Sequence, residues 1–322
     1  MKTSLSAKVL LGAAALVAAL ASTAAHAQSV AVTSIVEHPA LDAIKDGVRQ
    51  ALRKAGYTEA KGLKWQFQTA QGNTAIAAQI ARKFVGDKPD VIVAIATPSA
   101  QAVVAATKSI PVVYAAVTDP VAAQLVPSME PSGTNVTGVS DRLALEKQIA
   151  LIKQVVPDAK RIGMVYNPGE ANSVSVVKQM RELLPGSGMS LIEASAARTV
   201  DVGAAARSLV GKVDAIYTST DNNVVSAYES LVKVGNDAGI PLIASDTDSV
   251  KRGAIAALGV DYHDMGLQAG RQVVEILKGR APGTMPSETS GKLQLYVNPE
   301  AAKKQGVALP DAFIKSAAHV IR

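Results

Sequence analysis

Along most of the chain, short unbroken runs of Val, Ile, Ala and Leu alternate with longer stretches in which apolar residues recur every three or four positions. The runs VAVTSI (30–35), KWQFQTA (64–70), DVIVAIA (90–96) and IPVVYAAV (110–117) read as strands. So do RIGMVYN (161–167), MSLIEAS (189–195), VDAIYTST (213–220), IPLIAS (240–245) and GAIAALG (253–259). Between them, Val174, Val177, Met180 and Leu184 share one helical face, as do Val224, Tyr228, Leu231 and Val232. Strands alternating with helices predict parallel sheets covered on both faces, and near-continuous apolar strands fit sheets buried on both sides.

About four strand–helix units precede residue 140 and about four follow it, a repetition of architecture rather than of sequence. Between the two sets lies VPSMEPSGTNVTGVS (126–140), rich in Pro, Ser and Gly, which reads as the join between two lobes. One further helix, HDMGLQAGRQVVEILKG (263–279), and a last strand, KLQLYVN (292–298), exceed what the second lobe needs. The surplus implies that the chain crosses between lobes more than once. The expected fold is α/β, with two doubly wound parallel-sheet lobes joined by a multi-strand hinge. The N-terminal lobe is expected to hold residues 28–140 and 260–282, and the C-terminal lobe residues 141–259 and 283–322.

Composition narrows the setting. Lys2 and Lys8 precede the apolar run Val9–Leu20, and Ala25 and Ala27 occupy small-residue positions, the pattern of a secretory signal peptide over residues 1–27 cleaved after Ala27. The run is shorter than the roughly 20 residues that span a bilayer. There is no cysteine, hence no disulfide, thiolate metal site or lipid-bearing thiol. These features imply a freely soluble periplasmic protein, neither a lipoprotein nor inserted in the membrane. The net charge of +6 is scattered rather than gathered in a stripe, which argues against a nucleic-acid partner.

In open α/β sheets ligands sit outside the carboxyl ends of the strands, so the chemistry is sought there. Those ends carry Glu37 and His38; Thr97 and Ser99; Thr118 and Asp119; Glu170, Asn172 and Ser173; Thr220, Asp221 and Asn222; and Asp246 and Asp248. Each alone reads as a helix N-cap. Together, on one side of two sheets, they fit a ligand. Helix N-termini with the Ser99 and Ser173 hydroxyls suit a carboxylate, and Asp221 and Asp119 suit a cation. A zwitterion such as an amino acid satisfies both sets.

No G-x-S-x-G elbow, phosphate loop or G-x-G-x-x-G fingerprint occurs, and the histidines lack metal-ligand spacing. No catalytic residue, cofactor or metal is therefore assigned. A carbohydrate-active enzyme stays open as an alternative, because paired carboxylates are spaced in three dimensions and not in sequence.

The segments VEHPALDAIKDGV, PVVYAAVTDPVAAQLV, YNPGEANSV, STDNNVVSAYESLVKVGNDAGIPLIASDTDSVKRGAIAALGVDYHDMGLQAG and LYVNPEAAKKQGV resemble the ABC-transporter substrate-binding protein family whose known ligands include tryptophan, phenylalanine and tyrosine. The likeness runs from about Val30 to Val307. It implies a multiply crossed, type I periplasmic-binding-protein-like fold with three hinge strands, an inner-membrane ABC permease as partner, and a monomeric receptor. Many Gram-positive members are lipoproteins, from which this chain departs. Carried over by motif, Thr97, Ser99, Asn172 and Ser173 would contact a carboxylate, and Asp221 and Asn222 an ammonium. Asp119 and Asp246 would lie at the cleft edge and Glu37 on the pocket floor. A sensor subunit presenting its closed form to a membrane kinase is the alternative partner reading. Of eleven aromatic residues, Trp65 reads as core or edge packing. Tyr114, Tyr166, Tyr217 and Tyr262 stand equally as ligand platform or core.

Overall fold

A computed structural model of the chain describes residues 27–321; the expected signal peptide lies, but for Ala27, outside the described residues. The first half runs β1 (Ser29–Ser34), α1 (Pro39–Lys54), β2 (Lys64–Thr69), α2 (Thr74–Asp87), β3 (Val91–Ile95), α3 (Thr97–Ala106), β4 (Val112–Ala115) and β5 (Val136–Ser140). There follow α4 (Leu145–Val155), β6 (Arg161–Tyr166), α5 (Ala171–Leu183), β7 (Ser190–Ser195), α6 (Val202–Ser208) and β8 (Ala215–Thr218). Next come α7 (Asn222–Ser226), α8 (Tyr228–Ala238), β9 (Leu242–Ala244), α9 (Asp248–Lys251), β10 (Ala256–Gly259) and α10 (Tyr262–Leu277). The chain ends with β11 (Glu288–Thr289), β12 (Gln294–Val297), α11 (Pro299–Lys304), α12 (Asp311–Ser316) and β13 (His319–Val320).

Two sheets result. The first has the order β11-β5-β4-β3-β1-β2 and is parallel throughout. The second has the order β13-β12-β10-β9-β8-β6-β7, parallel except where β12 runs against β10. The chain crosses from one lobe to the other after β5, after β10 and after β11, so the expected α/β fold with a multi-strand hinge is present. Because β11 pairs with β5, residues up to Thr289 belong with the first sheet. The last crossing therefore falls between Thr289 and Gln294, later than the expected division at residue 283.

The segment read as a pure linker, 126–140, ends in a buried strand, β5. Its sequence, VTGVS, hides the strand because the central residue is glycine and the rest is half polar. A Cβ on Gly138 would lie 2.3 Å from the carbonyl oxygen of Tyr114 and 2.4 Å from its ring. Only glycine lets β5 pair with β4 over that buried tyrosine.

The returning helix α10 is tied to the first lobe by direct backbone packing on α1. A Cβ on Gly266 would lie 2.3 Å from the Ile44 carbonyl oxygen, one on Gly47 would lie 2.4 Å from that of His263, and one on Gly270 2.5 Å from the Ala51 Cβ. Met265, Ala269 and Val273 of α10 are fully buried in the core that also holds Ile44, Val48 and Leu52 of α1. The first lobe is thus completed by a segment that arrives only after the second lobe has been built.

This contact makes one substitution act with opposite signs at two sites. Gly266→Ala forces the helices apart, and overpacking of about 1–3 kcal/mol exceeds the roughly 1 kcal/mol gained in helix propensity. Gly86, on the exposed face of α2, has nothing near its missing Cβ. Gly86→Ala is expected to raise the melting temperature and Gly266→Ala to lower it; equal shifts would remove the packing argument.

Candidate functional site

The carboxyl ends of both sheets face each other across the cleft. β3 leaves its sheet through Ala96, with φ of 71°, and β4 through Ala116, with φ of 53°. Non-glycine residues in this region carry strain of about 1–2 kcal/mol and mark places where the surrounding structure fixes the backbone. Both alanines line a small, partly open cavity between the lobes. Directly after Ala96, the first turn of α3 buries Thr97 and Ser99, whose hydroxyl oxygens have no hydrogen-bond partner among the described residues. The first turn of α5, from the second lobe, brings Asn172 to the same cavity with its Oδ1 equally unpartnered. The α5 start therefore brings an unpaired polar atom to the cavity, and the α3 start, with its own unpaired hydroxyls, follows directly on the lining residue Ala96.

Behind Asn172 lies a closed network that holds it still. Asp221 Oδ2 accepts from the Asn167 backbone N–H and from Ser173 Oγ, both at 2.6 Å. Its Oδ1 accepts from the Val224 N–H at 3.0 Å, capping α7. Glu170 Oε2 accepts from Asn222 Nδ2 at 2.6 Å and from Asn172 Nδ2 at 3.1 Å. Asn172 Nδ2 also donates to the Thr220 carbonyl at 3.1 Å. Burial raises the pKa of both acids, and for Glu170 burial, then the neighbouring Asp221 charge, pushes it up to about 7.

The hinge side of the cavity is acidic. Asp141, the first residue after β5, is 3% exposed, lines the cavity and has an unpartnered Oδ1. Burial pushes its carboxyl up to about 6. Tyr262, at the start of α10, stands beside it, and Asp246 completes the wall. Asp246 is held by Ser249, whose N–H and Oγ donate to its two oxygens at 2.9 and 2.6 Å. The lobes are drawn together at the cleft edge. Thr118 Oγ1 and Thr220 Oγ1 are 3.0 Å apart, and Ser175 Oγ donates to Asp119 Oδ2 at 3.2 Å.

Of the residues expected at the site, Asn172, Asn222 and Asp246 line the cavity. Thr97 and Ser99 lie in the α3 turn that follows Ala96, and Asp119 sits at the edge, where it links the lobes. Ser173 and Asp221 are not at the cavity surface; they bond to each other inside the second lobe. Glu37 is exposed, and its neighbour His38 takes the place on the wall. Among the tyrosines, Tyr114 and Tyr217 are fully buried in the two cores and Tyr166 donates to Glu193, which leaves Tyr262 at the cavity. Trp65 packs on edge strand β2 beneath the Arg49 guanidinium. Asp141 escaped the sequence reading because β5 did; placed at the end of a recognised strand, it would have joined the other polar ends.

The chain is similar to the tyrosine-binding protein of Clostridioides difficile, at 41% identity over 86% of this chain and 80% of that one. A Streptococcus pneumonia ABC domain in complex with L-Trp matches at 32% identity over 91% of this chain and 99% of that one, with a TM-score of 0.88. A ligand-free, open substrate-binding protein with adhesive properties from Clostridium difficile is more similar in sequence, at 38% identity over 92% and 99%, yet its TM-score is 0.69. The better superposition on the less identical, ligand-bound protein fits the closed arrangement made by the Thr118–Thr220 and Asp119–Ser175 contacts. The model of the ABC transporter substrate binding protein family matches residues 29–321, and the chain belongs to that family.

Proposed function

We propose that this protein is the periplasmic receptor of an ABC importer for a zwitterionic amino acid with an aromatic side chain. One observation carries the reading. The cavity presents unpartnered oxygens of Asp141 and Asn172, and the unpartnered hydroxyls of Thr97 and Ser99 lie in the α3 turn that directly follows Ala96 on its wall. Asp141, with Asp246 beside it, takes the ammonium. The two helix starts take the carboxylate, and Asn222 holds the Asn172–Glu170 arrangement in place. The capping and bracing roles of Asp221 and Ser173 then support the site from behind. The relatives that bind tyrosine and L-Trp favour an aromatic side chain. Binding and release need no covalent step, and a single chain completes the site, as a monomeric receptor presenting its closed form to a permease requires.

Export is tested on its own: material from a periplasmic extract should begin at Gln28, and a Met1 terminus on most of it would contradict the assignment.

The ligand is tested by calorimetric titration with L-tyrosine, L-tryptophan, tyramine and 3-(4-hydroxyphenyl)propionate. The two amino acids should bind and the two singly charged analogues should lose at least tenfold each; preference for a sugar over all four would overturn the reading. Asp141→Asn removes the charge while keeping the shape, and loss of a buried partner for a cation should weaken amino-acid binding by about 30- to 4,000-fold. The ionised carboxyl is the binding form, so wild-type affinity should fall as pH drops through about 6, where Asp141 takes up a proton. Asp141→Asn should flatten that part of the profile. Wild-type affinity in the variant would move the ammonium elsewhere.

A further inference from the structure

We propose that His38 is the specificity-determining residue of this cleft, hydrogen-bonding the polar tip of an aromatic ligand side chain so that a phenol or an indole is preferred to phenylalanine. The inference rests on the amino-acid reading above and adds which member of the class the cleft favours. His38 lines the same cavity as Asp141 and Asn172, and its Nδ1 is buried without a hydrogen-bond partner among the described residues. The cavity also has aliphatic lining: Ala40 and Leu41 from the first turn of α1, and Val225 from α7 of the opposite lobe. An unpaired ring nitrogen in a cavity that also has aliphatic walls is what a mostly apolar ring with one polar atom would match.

The imidazole is held in place by its backbone. His38 is the extended N-cap of α1, Pro39 follows it, and its carbonyl accepts from the Asp42 N–H at 3.0 Å. A residue before proline is confined to extended conformations, so the ring is presented from a fixed base.

His38 also carries the right charge for a neutral partner. Burial, and then the Arg252 guanidinium of the second lobe, hold its pKa down to about 4, against the weaker opposing pull of Asp42 and Asp248. Arg252 itself is committed: Nε and Nη2 donate to Glu229 at 2.7 Å, and Nη1 donates to the Val225 carbonyl at 2.6 Å. Neither residue therefore offers a free cation to a ligand carboxylate, which leaves that role to the α3 and α5 starts. A neutral imidazole bonds a neutral hydroxyl or N–H. A phenylalanine ring in the same place would leave Nδ1 desolvated and unpaired, a cost that corresponds to about 5- to 150-fold in affinity.

The experiment is calorimetric titration of the wild type, His38→Leu and His38→Gln with L-tyrosine, L-tryptophan and L-phenylalanine. The wild type should bind tyrosine at least fivefold more tightly than phenylalanine. His38→Leu should bring tyrosine down to the phenylalanine level while phenylalanine holds or improves, and His38→Gln, which keeps a polar tip, should restore part of the difference. Tryptophan matching tyrosine identifies Nδ1 as an acceptor, since an indole only donates; tryptophan falling with phenylalanine identifies it as a donor. Equal wild-type affinities for tyrosine and phenylalanine would overturn the inference and leave the amino-acid reading standing. An equal loss for all three ligands in His38→Leu would also overturn it, by assigning His38 to packing. Binding of none of the three by the wild type would remove both.

Discussion

A buried polar atom without a partner costs free energy, and the closed cleft of this protein contains several. Asp141 Oδ1, Thr97 Oγ1, Ser99 Oγ, Asn172 Oδ1 and His38 Nδ1 all lie at or beside one cavity with no partner among the described residues. Each such atom is worth about 1–3 kcal/mol when left unsatisfied. The direct polar contacts named across the cleft edge, Thr118 with Thr220 and Asp119 with Ser175, are two neutral or half-exposed bonds of about 1 kcal/mol each. A ligand that satisfies these atoms shifts the balance toward the closed form. Recognition and motion are in this way the same event.

That coupling requires each lobe to move as a body. In the second lobe, the Glu170–Asn172–Asn222 and Asp221–Ser173–Asn167 bonds lock the ends of β6 and β8 together behind the cavity. In the first lobe, glycine contacts between α1 and α10 fasten the returning helix so closely that no side chain separates the two backbones. The three crossings after β5, β10 and β11 are the connections about which one lobe would turn against the other. Asp141 and Tyr262 sit on two of those crossings, so the acidic wall of the cavity is part of the hinge.

The strand pattern and the polar strand ends were legible because both depend on local sequence. Val, Ile and Ala runs declare buried strands, and Asn172, Asn222 and Asp246 follow directly from where those strands stop. What local sequence does not carry is the direction of a side chain. Asp221 has the position of a ligand group, but Ser173, Asn167 and Val224 turn its carboxylate inward. Glu37 and His38 are adjacent, and the backbone turn at the α1 N-cap exposes one and buries the ring nitrogen of the other. The largest omission, Asp141, follows from β5: a strand built of Val, Thr, Gly and Ser is recognisable only once Tyr114 is seen beneath it.

The central claim is that ligand binding completes a cleft that the polypeptide alone leaves energetically unfinished. Small-angle scattering of the mature protein, alone and with a saturating amino acid whose binding has been established by calorimetry, tests it most directly. The account predicts a smaller radius of gyration with ligand, from closure about the three crossings. An unchanged radius with the ligand bound would contradict it and make the cavity a rigid site.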